Sequence, residues 1–125
     1  MNRVFVYGTL KRGQRNYHFL HEAEFVGEFV TQRIYSMYEF EDYPAVCLDG
    51  DHAIEGEVFQ ITDRQFRMLD DLEWYPHFYQ RIEIETAYGD AWMYLVKAEL
   101  CHGKKQIPGT WPLVTASRPA DVDLP

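Results

Sequence analysis

Two stretches of this sequence hold residue types that could do chemistry together: a glycine turn after an apolar strand, and a carboxylate that ends a helix's apolar face. The first is Val4-Phe5-Val6-Tyr7-Gly8-Thr9-Leu10-Lys11-Arg12-Gly13. Glycine opens backbone conformations closed to other residues and lets neighbouring amides approach a ligand with no Cβ in the way, so the turn could hold an anion. Read alone, the same ten residues also describe a strand ending in an ordinary turn with a basic, exposed edge. The second stretch ends in Glu73, four residues after Leu69 and seven after Phe66, which places it on the inward face of the helix. A carboxylate in apolar surroundings has a raised pKa and can accept or donate a proton near neutrality. The competing reading is a glutamate that snorkels to water from a helix end.

The remaining reactive side chains form no comparable pattern. Cys47 and Cys101 lack the paired spacing that holds zinc and read as reduced, structural thiols. Of the five histidines, His18 and His21 could share a helical face, a spacing common in helices that bind nothing, so no metal is expected.

The elements that must position the two stretches follow from periodicity. Residues 4–7 are apolar without alternation, as in a strand covered on both faces. Residues 15–22 can form a short helix starting near Asn16, with Tyr17 and Leu20 inward. Residues 24–33 read as an extended, bulged strand and 34–40 as a second. Glu39, Glu41 and Asp42 form an acidic rim before Tyr43-Pro44, where proline opens a short strand over 45–48. Across the Asp49-Gly50-Asp51 turn that strand is expected to pair antiparallel with 54–61. Residues 62–73 are the main helix: Thr62 caps it, Gln65 completes a capping box and Asp63 suits the positive end of the dipole. Asp70 and Asp71 flank the apolar stripe and are expected to face water. Residues 78–86 alternate as a half-exposed strand and turn through Tyr88-Gly89-Asp90 into a strand over 91–98. Beyond, Gly103, Pro108, Gly109, Pro112, Pro119 and Pro125 leave little room for regular structure. A domain over residues 1–102 followed by an irregular tail over 103–125, packing through Trp111, is the expected organisation.

With 125 residues, the chain is one domain able to bury about two-thirds of its unfolded surface without disulfides or metals. The fold class is α+β: six to eight short, mostly antiparallel strands curled into a small β-barrel, with one main helix and one short helix. Twelve basic against 20 acidic residues give a net charge of −8, which repels nucleic acid and anionic membranes. No window approaches the apolar length of a membrane span and no leader pattern is seen, so a cytoplasmic protein is expected. Monomer and homodimer both remain open.

The opening run, the segment Ile54-Glu55-Gly56-Glu57-Val58-Phe59, and Leu69-Asp70-Asp71-Leu72-Glu73 followed by Phe78-Tyr79-Gln80-Arg81 resemble the gamma-glutamylcyclotransferase-like (AIG2-like) family. The likeness is strongest to its gamma-glutamylamine cyclotransferases and their small bacterial relatives. It rests on four motifs in order, YGTL, GEV, LDDxE and YxR, over roughly residues 3–97. The resemblance implies a mixed β-barrel with a pocket at its mouth and a small-molecule substrate: a gamma-glutamyl amide that closes on itself, releasing 5-oxoproline and a free amine without a cofactor. It also implies that Tyr7, Gly8, Thr9 and Leu10 form the substrate-binding loop, that Glu73 is the catalytic acid or base, and that Tyr79 is a pocket tyrosine.

The implied chemistry suits these residue types. A carboxylate such as Glu73 can take the proton of the substrate's α-ammonium and return it to the departing amine. Nucleophile and electrophile share one molecule, so orientation can supply up to about 7–11 kcal/mol of the barrier. Loop amides would hold the α-carboxylate, while Lys11 and Arg12 are expected to be exposed and at most to guide an anionic substrate. The larger cyclotransferases have serine where this chain has Thr9, and Trp74-Tyr75-Pro76 is bulkier than usual after the acid, which leaves substrate size open. A binding module that keeps the pocket without turnover is the alternative. A nucleic-acid-binding barrel, suggested by strand aromatics, is opposed by the charge.

Overall fold

The computed structural model describes residues 2–112. Its centre is β1 (Asn2–Val6), where Val4, Phe5 and Val6 are almost wholly buried, as an apolar run without alternation requires. Val4 and Val6 pack on one side with Phe59, Ile61 and Leu69. Phe5 and Tyr7 pack on the other with Met37, Val58 and Met93. β1 lies within a five-stranded sheet of order β2 (Glu24–Val30), β5 (Glu55–Ile61), β1, β7 (Gly89–Leu95), β6 (Gln80–Thr86). It runs parallel to β7 and antiparallel to β5, and the two outer ladders are antiparallel. β2 carries the expected bulge, between Phe25 and Gly27.

A second, antiparallel sheet has the order β4 (Tyr43–Leu48), β3 (Tyr35–Phe40), β8 (Lys105–Ile107). The Val96 N–H donates to the Val46 carbonyl at 2.9 Å and ties the chain after β7 to β4. Among the described residues the ladders make two sheets rather than one closed ring. The mixed, mostly antiparallel pairing and the main helix are as expected.

α1 (Asp63–Leu72) follows β5 with its cap as read from sequence: Thr62 Oγ1 accepts from the Gln65 N–H at 3.1 Å, and Gln65 Oε1 accepts from the Thr62 N–H at 2.8 Å. Leu69 is its buried contact, while Met68 and Leu72 are exposed.

Several local expectations are corrected. β4 pairs with β3, not with β5, because Glu41 turns the chain at φ 32 without a glycine and Tyr43 falls opposite Phe40. Pro44 is not a boundary but part of β4, at the edge of its sheet, where a missing donor is tolerated. The expected helix over 15–22 shrinks to a 3-10 turn, Tyr17–Phe19, because Asn16 spends its side chain on Thr9 rather than on a cap. Within the stretch expected to be irregular from residue 103, β8 adds a strand to β3, while Trp111 packs against the core as expected; residues 113–125 lie outside the described residues. Cys47 and Cys101 are buried and unpaired, and burial pushes the Cys101 thiol up to about 12. Among the described residues no helix is long and apolar enough to cross a membrane.

Candidate active site

Tyr7, Gly8, Thr9, Leu10, Glu73 and Tyr79 all line one open cavity of about 400 Å³. The loop after β1 forms one wall and the end of α1 the other.

The helix-end wall is built by the way α1 stops. The Glu73 N–H donates to the Leu69 carbonyl at 2.9 Å, the Trp74 N–H to Asp71 at 3.1 Å and the Tyr75 N–H to Asp70 at 2.9 Å. This is the paired pattern of a Schellman cap, with Trp74 in the left-handed position at φ 55 where glycine is usual. A side chain there costs about 1–2 kcal/mol. The cap leaves Glu73 at the last helical corner with its side chain in the cavity. Among the described residues no donor or cation holds that carboxylate, and burial raises its pKa from 4.5 to about 7.

One turn back, the wall is anchored. Arg81 donates from Nε and Nη2 to Asp70 Oδ1 and Oδ2 at 3.0 and 3.1 Å, and the Tyr94 hydroxyl donates to Asp70 Oδ1 at 2.6 Å. The guanidinium lies over the rings of Tyr75, Phe66 and Trp92, 4.2, 4.4 and 4.8 Å from their centroids. Asp70 therefore does not face water as its sequence position suggested; Asp71 does. The LDDxE and YxR motifs thus meet as one clamp on the helix end.

The loop wall depends on close approach. Gly8 does not use a left-handed conformation; it is needed because a Cβ would come within 2.8 Å of Pro44 Cγ. The Lys11 N–H donates to the Gly8 carbonyl at 3.1 Å, and Asn16 reaches back with its N–H to the Thr9 carbonyl and with Nδ2 to Thr9 Oγ1, both at 2.9 Å. Among the described residues the N–H groups of Gly8, Thr9 and Leu10 donate to no other part of the chain. They remain free for an anion.

The loop's far end is gripped by Glu57 of the GEV motif. Its Oε1 accepts the Arg12 backbone N–H at 2.9 Å and its Oε2 accepts Arg12 Nε at 3.3 Å, while the guanidinium lies 3.7 Å over the Phe25 ring. Lys11 Nζ donates to the Trp111 carbonyl, and burial lowers its pKa. Arg12 is thus exposed as expected, though engaged with Glu57, whereas Lys11 is half-buried rather than free in water.

Tyr7 and Tyr79 complete the cavity by spending their hydroxyl protons on the backbone, Tyr7 on the Tyr94 carbonyl at 2.7 Å and Tyr79 on the Pro44 carbonyl at 2.9 Å. Burial above all, with the Glu73 charge adding to it, raises both phenol pKa values, so both stay neutral. Their oxygens keep lone pairs to accept hydrogen bonds from a bound molecule. Sequence reasoning missed Asn16, Tyr43 and Tyr94 as cavity residues. Asn16 looked like a helix cap, and the aromatic density of β7 hid which ring turns inward.

Comparison with known proteins gives this geometry a context. The family model described as "Gamma-glutamyl cyclotransferase, AIG2-like" matches residues 4–113. The Escherichia coli (strain K12) protein named "Gamma-glutamylcyclotransferase family protein YtfP" is 34% identical over 87% of this chain and 95% of its own length. The solution structure of E. coli ytfP matches with a TM-score of 0.72 over 88% of this chain and 96% of that one. Human gamma-glutamylaminecyclotransferase is 38% identical over 65% of this chain and 59% of the human protein. The crystal structure of an aig2-like protein from Mus musculus, 28% identical, matches with a TM-score of 0.69 over 77% of each chain.

Proposed function

The chain belongs to the gamma-glutamyl cyclotransferase, AIG2-like family, and from that premise we propose that it releases 5-oxoproline and a free amine from a gamma-glutamyl amine or related gamma-glutamyl amide. The observation that carries the reading is Glu73: among the described residues a carboxylate without a partner, its pKa about 7, in the same cavity as the unpaired N–H donors of Gly8, Thr9 and Leu10.

The steps follow from these groups. The loop amides take the substrate's α-carboxylate, while the oxygens of Tyr7 and Tyr79 accept from its N–H groups and help fold the glutamyl chain. Glu73 removes a proton from the α-ammonium, and the freed nitrogen attacks the side-chain carbonyl carbon to close a five-membered ring. The carboxyl of Glu73 gives that proton to the departing nitrogen, the C–N bond breaks as the carbonyl re-forms, and the extra proton left on the ring nitrogen passes through Glu73 to the amine, which leaves as an ammonium. Proton count and atoms balance without water, and no acyl group is passed to the protein. The apolar cavity wall strengthens both proton transfers by keeping bulk water from Glu73.

The test is Glu73→Gln, which keeps size and shape and removes the base. It should retain the native circular dichroism spectrum and lose about 10²–10⁴-fold in 5-oxoproline formation across a panel of gamma-glutamyl amines. Undiminished turnover in this variant would refute the assignment; saturable binding without product in the unmodified protein would point to the binding module instead.

A further inference from the structure

The geometry points to Trp74 as the residue that selects the leaving group, favouring amines that carry an apolar, above all aromatic, substituent. The inference rests on the cyclotransferase reading, because it uses the path of the departing amine. Glu73 has to reach both the attacking and the departing nitrogen, so the substituent on the departing nitrogen begins beside Glu73. Trp74 is the next residue and lines the same cavity. The residue is 63% exposed, the largest value among the exposed large apolar residues described. It is held out by a left-handed backbone at φ 55, a position that glycine would occupy without strain.

What surrounds Trp74 decides the kind of substituent. The His77 ring lies 5.5 Å from the indole, inclined by 41°, and braces it from within the same turn. Leu72 and Phe78 line the cavity beside it. Apart from Glu73, the charged side chain lining the cavity is Arg15, a cation that donates to the Asp42 carbonyl at 2.9 Å and carboxylate at 3.2 Å. With Arg15 paired to Asp42, the surface left uncovered at the helix-end wall is the indole, which a flat apolar substituent can cover and so gain its burial. The polar demands of the glutamyl half are met at the loop wall, so the helix-end wall is left to read the other half.

Steady-state kinetics on three gamma-glutamyl amides, those of phenethylamine, methylamine and 1,4-diaminobutane, test this. The phenethylamide should show a KM about tenfold below the methylamide with a similar kcat, because contacts made equally before and during reaction act on KM. In Trp74→Ala the ratio of the two KM values should fall to within about twofold of one, and Trp74→Phe should recover most of it. If the alanine variant fails to fold, Trp74→Gly suits the left-handed backbone and carries the same comparison. Equal KM values in the unmodified protein, a preference that survives in both Trp74 variants, or the diaminobutane amide as the best substrate would each overturn the inference while leaving the cyclotransferase reading intact. No 5-oxoproline from any of the three would overturn that reading and this inference with it.

Discussion

Glu57 gives both carboxylate oxygens to Arg12, one to its backbone N–H and one to its guanidinium, and is 9% exposed. Glu73, in the cavity wall formed by the helix end, has no such partner among the described residues, and its pKa rises to about 7. The two walls are built on opposite principles. Among the described residues the loop wall satisfies its side chains and leaves three backbone amides open, which suits holding an anion that never changes charge. The helix-end wall satisfies its backbone through the cap and moves its ion pairing one turn back to Asp70 and Arg81, leaving the terminal carboxylate to titrate. A proton carrier has to be held in place by something other than its own charge, because a fixed cation beside it would hold it ionised.

The contrast can be broken at several points. The largest effect expected is on rate against pH. If Glu73 acts ionised with a pKa of about 7, kcat/KM should rise tenfold per pH unit below neutrality and be about 100-fold below its plateau near pH 5. The same group makes the opposite contribution to stability. Its folded pKa lies above the ordinary 4.5, so its stabilising contribution is complete below about 4.5 and is lost as pH rises through about 7. Melting temperature should therefore fall over that window more steeply in the unmodified protein than in Glu73→Gln; equal slopes would place Glu73 in ordinary solvent.

Next comes the clamp. Arg81→Met leaves Asp70, whose pair is only 18–20% exposed, without its cation, and should cost about 3 kcal/mol in denaturant unfolding. A loss below about 0.5 kcal/mol, the range of an exposed pair, would mean that Asp70 is solvated after all. The smallest effect is at Gly8. Gly8→Ala places a Cβ against Pro44 and should cost about 1–3 kcal/mol, with a rise in KM as the amides shift. If it lowered kcat while sparing KM, the division of labour between the walls would be wrong.

Legibility followed the distance over which a signal acts. The Thr62–Gln65 capping box and the inward phase of Glu73 are encoded within one or two turns of chain, and both could be read from residue order. The burial of β1 was legible because an unalternated apolar run has no wet face to offer. The pairing of β4 was not, since the β3–β4 turn uses Glu41 at a positive φ where a glycine would have announced it. Asp70 was misread because Arg81 and Tyr94 stand 11 and 24 positions away, and nothing on the helix itself tells a solvated aspartate from a clamped one.

Sequence by itself determined the family through four ordered motifs, and it determined the residue types at the cavity: a permissive glycine, an inward glutamate and a pocket tyrosine. Tertiary structure decided what each motif is for. Only in the folded chain does the GEV glutamate grip the loop through Arg12 rather than meet a ligand, and only there does Gly8 prove necessary for its approach to Pro44. The reason is physical. Periodicity and caps are local properties of a backbone, whereas the charge state of Glu73 depends on which groups other elements bring to it and which they keep away.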